Sequence, residues 1–271
     1  MKLWIYTTLA LGLASAAIAQ NDCAAGKTIT DGTLTIATGN PAYYPWVMDD
    51  APESKAGFEA AVAYAVAAEM GFADDQVTWV RTSFDQAIQP GAKDFDLNLQ
   101  QFSITEDREK MVDFSQPYYS SAMAVLTTQK VVDAGATASA DSLKSLIWGA
   151  DASTTAVPML SELIQPEKAP LLYGDNADVT AALQAGQIDA ALFDLPTALY
   201  LAGVVVEGGT LLGQFPAARS ANPDQFGILM EEGSALKPCV DAALGALKDS
   251  GRLAEIEAEW LQQATAVPVI E

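Results

Sequence analysis

The stretch that organises this sequence runs from residue 96 to residue 119. It reads Asp96-Leu-Asn-Leu-Gln-Gln-Phe-Ser-Ile-Thr-Glu-Asp-Arg-Glu-Lys-Met-Val-Asp-Phe-Ser-Gln-Pro-Tyr-Tyr119. It opens as a short apolar strand, Phe95 to Leu99, and polar residues follow at once. Thr105 then predicts a helix start, with Arg108 at the third position after this N-cap. A guanidinium held beside a strand end suits a carboxylate, because its planar fork can bind both oxygens.

This stretch taken alone leaves open that Arg108 is a solvated helix charge, paired with Glu106 or Asp113. The longer pattern is more specific than any one residue. Ser103-Ile-Thr-Glu-Asp-Arg108, followed by Asp113-Phe-Ser-Gln-Pro-Tyr-Tyr119, resembles family 3 of the periplasmic solute-binding proteins, which serve polar amino acid ABC transporters.

The rest of the chain alternates predicted strands with predicted helices. Thr33–Ala37 predicts a first strand, and the alanine-rich segment Gly57–Met70 predicts a helix that ends before Gly71. This alternation indicates a parallel α/β sheet. The resemblance implies a type II periplasmic binding protein fold, with two parallel-type sheets flanked by helices and joined by two hinge strands. Lobe 1 would comprise residues 20–126 and 221–271, and lobe 2 residues 127–220.

The first nineteen residues are predicted to be a cleaved signal peptide. Lys2 precedes an apolar run from Leu9 to Ile18, and Ala17-Ile-Ala19 has the small-x-small form of a cleavage site. The run is too short to span a membrane, and no later stretch is long enough. We expect a periplasmic protein that begins near Gln20 and is not an integral membrane protein. A retained N-terminal anchor is the alternative.

The sequence is strongly acidic. It has 14 basic and 35 acidic residues, and its formal net charge of −21 becomes −22 when Lys2 leaves with the signal peptide. Nucleic acid and anionic lipid need a basic face, so neither is an expected partner. The overall charge does not identify a small ligand, because it says little about one pocket.

The chain contains two cysteines, Cys23 and Cys239. In an oxidising compartment an even number favours one disulfide, which would stabilise the fold by at most about 5 kcal/mol in the entropy model. Two unpaired thiols or a lipid-modified Cys23 are the alternatives, although Ala19-Gln-Asn-Asp-Cys23 lacks the usual lipoprotein form. The resemblance implies that the chain returns to lobe 1 near Cys239, which agrees with a disulfide.

Histidine is absent from the sequence. This absence excludes Ser-His-Asp and Cys-His catalysis, the helical zinc motifs and most catalytic zinc sites. The acidic pairs Asp49-Asp50 and Asp74-Asp75 are typical of solvated loops. We therefore expect no metal and no cofactor.

Three further segments bring polar or aromatic groups to strand ends. The loop Thr38–Trp46 places Tyr43 where open α/β sheets bind ligands, unless its aromatic residues only cap a core. Ala152-Ser153 opens a predicted helix whose free amides suit an anion. Asp194 precedes a helix begun by Pro196, a position that by itself is typical of an N-cap.

The resemblance assigns the carboxylate of the ligand to both lobes. Arg108 would bind it bidentately, helped by Ser103 and by the amides around Ala152 and Ser153. The family usually has glycine followed by threonine or serine at this second-lobe position. Ala152-Ser153 keeps the hydroxyl group but loses the conformational freedom of the glycine.

The resemblance also assigns the remaining contacts. Asp194 and the main-chain carbonyl of Gln101 would hold the α-ammonium of an amino acid. Tyr43 and Phe84 would stack on its aliphatic part. Gln100 would reach the variable side chain.

The sequence therefore predicts the solute-binding component of an ABC importer, a monomer that closes over a free amino acid and delivers it to permease subunits. Relatives that take basic amino acids often have an acid in the loop after the first strand. Gly39 and Asn40 occupy that loop here, so we expect a neutral or polar side chain.

Two other functions remain open. A few enzymes, such as periplasmic dehydratases of prearomatic acids, share this fold and use carboxylates in the cleft; Asp194 or Asp49 would be candidates. A sensor domain of a receptor or channel is the other alternative. It would need a membrane span after the fold, and the given sequence reaches Glu271 without one.

Overall fold

The computed structural model describes residues 22–217, 224–261 and 267–270. Within these ranges the strands form two five-stranded sheets and one two-stranded ladder. The first sheet contains, from edge to edge, β2 (Val77–Arg81), β1 (Leu34–Thr38), β3 (Leu97–Asn98), β12 (Leu229–Glu231) and β4 (Val112–Phe114). The second contains β10 (Gly209–Phe215), β6 (Met123–Thr128), β9 (Ala190–Asp194), β7 (Trp148–Asp151) and β8 (Leu171–Tyr173). We call the elements around these sheets the first and the second lobe.

One strand in each sheet runs against the others. In the first sheet β1 pairs in parallel with β2 and β3, whereas β12 is antiparallel to β3 and β4. In the second sheet β7 pairs in parallel with β8 and β9, whereas β6 is antiparallel to β9 and β10. The predicted parallel-type sheets are therefore mixed, each with one reversed strand.

The two lobes are connected through the two-stranded ladder. Its strands, β5 (Tyr119–Ser121) and β11 (Asp224–Phe226), pair antiparallel, with Ser120 opposite Gln225. β5 leads into the reversed strand β6 of the second lobe, and β11 leads into the reversed strand β12 of the first. The predicted two-lobed α/β fold with two hinge strands is confirmed, and the first crossing precedes Met123.

Helices pack against both sheets. The alanine-rich helix α1 (Phe58–Glu69) ends before Gly71, whose φ of +91° favours glycine, as predicted. The predicted break at Gly251 separates the last two helices. The others are α2 (Phe84–Ala87), α3 (Gln129–Asp133), α4 (Ala140–Ser145), α5 (Ala156–Met159), α6 (Asn176–Gln184), α7 (Leu195–Tyr200), α8 (Lys237–Asp249) and α9 (Arg252–Trp260).

The helix predicted after Thr105 is only a 3₁₀ turn, Arg108–Lys110. The hydroxyl of Thr105 still accepts a hydrogen bond from the amide of Arg108, as the predicted cap requires. The chain turns back into β4 at once. Arg108 is therefore fixed on a short turn beside the sheet.

Apolar side chains cover both faces of each sheet. In the first lobe one cluster joins alternate strand residues to α1 and α8, and a smaller one covers the opposite face around Phe102 and Phe114. In the second lobe the two clusters centre on Trp148 and on Phe193. Each lobe thus has its own core, and the space between the lobes is left for a ligand.

The predicted disulfide is confirmed. Cys23 and Cys239 are bonded, with their Cα atoms 5.7 Å apart. The bond joins the start of the described chain to α8, and both cysteines pack with the core of the first lobe. Lipid modification of Cys23 is thereby excluded in this structure.

The last described residues lie on the second lobe, whereas the prediction placed all of 221–271 in lobe 1. The amide of Ile270 donates to the carbonyl of Gln214 on β10, whose amide donates to the carbonyl of Pro268. The Ile270 side chain is 2% exposed and packs in the core around Trp148. Residues 267–270 pack there because the edge strand β10 offers backbone groups for pairing and an apolar site for Ile270.

The predicted signal peptide lies outside the described residues. In the part of the chain that is described, no helix combines the length and the apolar character needed to span a membrane.

Candidate functional site

A cavity of about 470 Å³ lies between the two sheets, where the parallel strands of each end. Ligands bind at this edge of open α/β sheets, because the strand ends there leave polar loops facing a crevice. We call its two sides the first wall, formed by Tyr43, Phe84, Gln100, Gln101, Ser103 and Arg108, and the second wall, formed by Asp151, Thr154, Thr155, Asp175, Asp194 and Thr197. All seven predicted ligand contacts outside Ala152-Ser153 thus line the cavity.

Arg108 lies at the base of the cleft and is 6% exposed, so it is not a solvated surface charge. One Nη atom donates to the carbonyl of Ser103 at 2.8 Å, and the other donates to the carbonyl of Ser153 in the second lobe at 2.9 Å. The guanidinium carbon is 5.2 Å from the centre of the Phe84 ring. Burial lowers the pKa of Arg108, while the carboxylates of Asp224 and Asp151 oppose that shift. An arginine remains charged under these conditions.

Direct contacts join the two lobes across the cleft. The hydroxyl groups of Ser103 and Thr155 are 3.2 Å apart. At the other end the Trp46 indole donates to the Thr197 hydroxyl at 2.8 Å. The rings of Tyr44 and Tyr200 lie with centroids 4.9 Å apart. The two lobes are therefore in direct contact around the cavity.

Gln101 has a backbone conformation that is uncommon for a residue other than glycine, with φ of +52°. Glu59, at the start of α1, holds it there. The backbone amide of Gln101 donates to one carboxylate oxygen of Glu59 at 2.8 Å, and its side-chain amide donates to the other. The hydroxyl of Tyr118 also donates to Glu59. These bonds fix the turn that carries Gln100 and Gln101 into the cleft.

Glu59 is 1% exposed, and burial raises its pKa to about 7 despite the three hydrogen bonds that favour its charged form. Desolvation of the carboxylate outweighs those bonds. The sequence signal for the role of Glu59 was an acid within the helix start Gly57-Phe58-Glu59. Nothing in the linear sequence indicated that its partner would be Gln101.

The second wall begins at a turn after β7. This turn differs from the predicted helix start with free amides that would bind an anion. The amide and hydroxyl of Ser153 both donate to one carboxylate oxygen of Asp151, at 2.9 and 2.7 Å, and the carbonyl of Ser153 accepts from Arg108. α5 begins at Ala156, and Thr154 and Thr155 line the cavity. Ala152 and Ser153 are not among the residues that line the cavity. The amide of Ser153, which was predicted to bind an anion, instead donates to the carboxylate of Asp151.

Asp194 ends β9 and caps α7, since its carboxylate accepts from the amide of Thr197 at 2.9 Å. It also lines the cleft, so the cap and the predicted ligand position coincide. Burial raises the pKa of Asp194 to about 7; hydrogen bonds from Thr197 oppose the shift, and Asp224 adds to it. A nearby cation would favour the charged form.

The aromatic loop after β1 divides its side chains between two environments. Trp46 is fully buried, with edge-to-face contacts to Phe58, Tyr119 and Phe226. Tyr43 remains in the cleft, as does Phe84 after β2. The core interpretation therefore applies to Trp46, although this residue also lines the cavity, and the ligand contact of Tyr43 stays a prediction.

Sequence reasoning missed several lining residues. Asp224, on β11, is 7% exposed. Burial raises the pKa of its carboxyl, and the positive charge of Arg108 opposes that shift. Asp175 caps α6, and Asp151 ends β7. The sequence signal for Asp151 was an acid directly after a predicted strand. The described residues include no group of three or more potential metal ligands.

Comparisons with known proteins identify the family of this chain. The family described as bacterial extracellular solute-binding proteins, family 3, matches residues 34–263. An arginine-binding periplasmic protein of Mannheimia haemolytica is 28% identical over 87% of this chain and 94% of its own length. The L-cystine-binding protein TcyJ of Escherichia coli K12 is 25% identical over 83% of this chain and 82% of its own.

A solved structure supports the fold. An ancestral arginine-binding protein bound to arginine aligns with a TM-score of 0.67 at 24% identity, covering 85% of this chain and 98% of that one. The two relatives named above are binding proteins for amino acids, one for arginine and one for L-cystine. The family match spans most of the sequence, including every lining residue of both walls. This chain therefore belongs to family 3 of the bacterial extracellular solute-binding proteins.

Proposed function

We propose that this protein binds a free amino acid in the cleft and delivers it to the permease subunits of an ABC importer. It would act as a monomer in the periplasm after removal of residues 1–19. The observation that carries the proposal is the placement of a buried guanidinium, Arg108, on one wall and a partly buried carboxylate, Asp194, on the other.

This pair of charges suits the part that all amino acids share. A guanidinium has five N–H groups, and those of Arg108 besides the two that donate to Ser103 and Ser153 would bind an α-carboxylate. Ser103 and the adjacent Thr155 hydroxyl would complete that contact. Asp194 and the carbonyl of Gln101 would hold the α-ammonium, with Tyr43 and Phe84 against the aliphatic part.

Binding would be coupled to closure of the lobes about the β5–β11 ladder. A ligand shifts this equilibrium only by contacts that it makes better in the closed form. The zwitterion does so, because its two charged groups bind to opposite walls. An affinity in the micromolar range corresponds to about −8 kcal/mol, which two buried charged contacts and ring stacking can supply.

The lobe assignment follows the sheets. We infer that residues 22–121 and 224–261 move as the first lobe and residues 123–217 as the second, with 267–270 attached to the second. The predicted boundary after residue 126 falls inside β6, which pairs with the second sheet over its whole length.

The test is a thermal-shift screen of the common amino acids, followed by calorimetry of those that raise the melting temperature. We expect at least one to bind with a 1:1 stoichiometry. If none binds to the correctly folded protein, the proposal is wrong. Analysis of the ligand after incubation separates binding from dehydratase-like catalysis, because a binding protein returns its ligand unchanged.

A further inference from the structure

We propose that the ligand is an amino acid with a long, cationic side chain, of the lysine or arginine type. The inference rests on the proposed function and adds to it the chemical class of the side chain. It replaces the expectation of a neutral or polar side chain, which depended on Gly39 and Asn40 alone and did not consider the second wall.

The first argument is the charge of the cleft. Among the described residues that line it, Arg108 is the only cation, whereas Asp151, Asp175, Asp194 and Asp224 are acids. One positive and four negative groups leave an excess of three negative charges, or of two when Asp194 is protonated. A zwitterion adds no net charge and leaves that excess in place. A ligand with one additional positive charge reduces it, and this compensation matters most beside Asp151 and Asp224, which are 5% and 7% exposed.

The second argument is how these carboxylates are arranged. Asp151 is 5% exposed and lies near Asp85 and Asp175, whose charges add to the effect of burial in raising the pKa of its carboxyl. Asp175 also acts across the cleft, because its charge contributes to the raised pKa of Tyr43 on the first wall. These carboxylates therefore come from three parts of the chain: Asp85 from α2, Asp151 from the end of β7 and Asp175 from the N-cap of α6. Their mutual repulsion is relieved by a cation placed among them.

The third argument does not involve carboxylates. The side-chain oxygen of Gln100 is buried and accepts no hydrogen bond from any residue in the described part of the chain. Gln100 lines the cleft, so a ligand can supply the missing donor. Ammonium and guanidinium groups carry donors only, whereas an acidic side chain would add further acceptors.

The size of the cavity favours a long side chain. Its volume is about 470 Å³, and its lining includes Thr180 and Gln184 of α6 and also Val205, besides the two charged contacts. Such a volume is within the usual range for small-molecule sites.

The test compares L-arginine with L-citrulline by calorimetry on the full mature protein. Citrulline has nearly the same shape but a neutral ureido group. We expect arginine or lysine to bind about tenfold more tightly than citrulline and glutamine, as the loss of one buried charged contact predicts. Citrulline affinity within twofold of arginine, or tighter binding of glutamine, would overturn the inference.

Two variants test the carboxylates directly. Asp175→Asn keeps an N-cap residue for α6, and Asp151→Asn keeps an oxygen that can accept from Ser153. We expect each to lower the arginine-to-citrulline affinity ratio severalfold while citrulline affinity stays within twofold. Asp178→Asn, an exposed residue of α6 that does not line the cleft, is the matched control and should leave the ratio unchanged. An unchanged ratio in both test variants contradicts the assignment.

Agmatine, which is arginine without its carboxylate, separates this inference from the proposed function. Agmatine binding as tight as arginine contradicts the amino acid function, because Arg108 would then have no ligand carboxylate to bind. Binding of neutral amino acids alone leaves that function standing and overturns the cationic side chain.

Discussion

The two walls of the cleft differ in charge and in the way their residues are held. The first wall contributes the buried cation Arg108, whose guanidinium donates to the main-chain carbonyls of Ser103 and Ser153. The second wall contributes the carboxylates of Asp151, Asp175 and Asp194, each of which also accepts hydrogen bonds from its own turn or helix start. Under the proposed function, a zwitterion would meet opposite charges on opposite walls, which would fix its orientation and make binding depend on closure.

The two walls also differ in how burial changes the ionisation of their charged groups. Arg108 remains ionised, and the Phe84 ring and two carbonyls replace its water. Burial raises the pKa of Asp194 on the second wall and of Glu59 behind the first to about 7 in each case. Arg108 can therefore pair with an anionic ligand group at any ordinary pH. Asp194 can pair with a cationic group only after it has lost its proton.

The largest effect is expected from removing the cation of the first wall. Arg108→Ala should weaken amino acid binding by roughly 100-fold or more, because the ligand carboxylate would be buried without its partner. Calorimetry measures the affinity, and circular dichroism checks the fold. Arg252→Ala, which removes an exposed arginine paired with Glu255, should leave affinity unchanged. Unchanged affinity in Arg108→Ala would remove the first wall from the site.

The next prediction concerns the second wall and pH. The ligand ammonium pairs with ionised Asp194, so affinity should fall as the pH drops below about 7, by up to about tenfold per pH unit. Asp194→Asn should weaken binding at pH 8 by about tenfold or more and should flatten the pH profile. Asp224, Tyr118 and Tyr119 also lie close to Asp194. A profile that stays steep in Asp194→Asn would assign the titration to one of these groups or to Glu59.

A third prediction tests the support of the first wall. Because the pKa of Glu59 is raised above the usual 4.5 to about 7, the folded protein holds a proton that the unfolded chain releases. The contribution of Glu59 to stability is therefore fully present below pH 4.5 and is lost as the pH rises through about 7, with a slope of at most about 1.4 kcal/mol per pH unit.

Denaturant unfolding at several pH values measures this slope. Glu59→Gln should make the slope between pH 5 and 7 less steep than in the unmodified protein, whereas Glu53→Gln, an exposed charge removal, should not. The same variant should weaken ligand binding severalfold, because Gln101 would lose an acceptor that holds its unusual backbone conformation. Identical slopes in the two variants would contradict the role of Glu59.

The smallest effect is expected at the outer edge of the cleft. Tyr44→Leu removes the ring contact with Tyr200 that joins the walls in the closed form. Aromatic pairs contribute about 0.5–1.5 kcal/mol, so affinity should fall about two- to tenfold. Tyr64→Leu breaks a comparable ring pair with Trp79 away from the cleft and should leave affinity unchanged. Equal effects of the two variants would show that the Tyr44 contact does not report on closure.

The same contrast explains which parts of the site were predictable. The polar groups of the first wall around Arg108 come from one continuous stretch at the end of β3, so neighbours in sequence are neighbours in space. The resemblance also located Asp194, because a strand end followed by Pro196 marks its position. The turn after β7 was not predictable to the residue, since the hydrogen bonds of Asp151 decide that Thr154 and Thr155 face the cleft rather than Ala152 and Ser153.

Residue patterns alone established the alternation of strands and helices, the α/β class and the exclusion of histidine chemistry, because these depend on local periodicity and composition. Long-range packing established the partnership of Glu59 with Gln101, the place of Asp224 beside Arg108 and the return of Ile270 to the second lobe. These contacts join residues 42 or more positions apart. No local preference encodes such contacts; they form because buried charges and apolar side chains need partners that only the folded chain brings within reach.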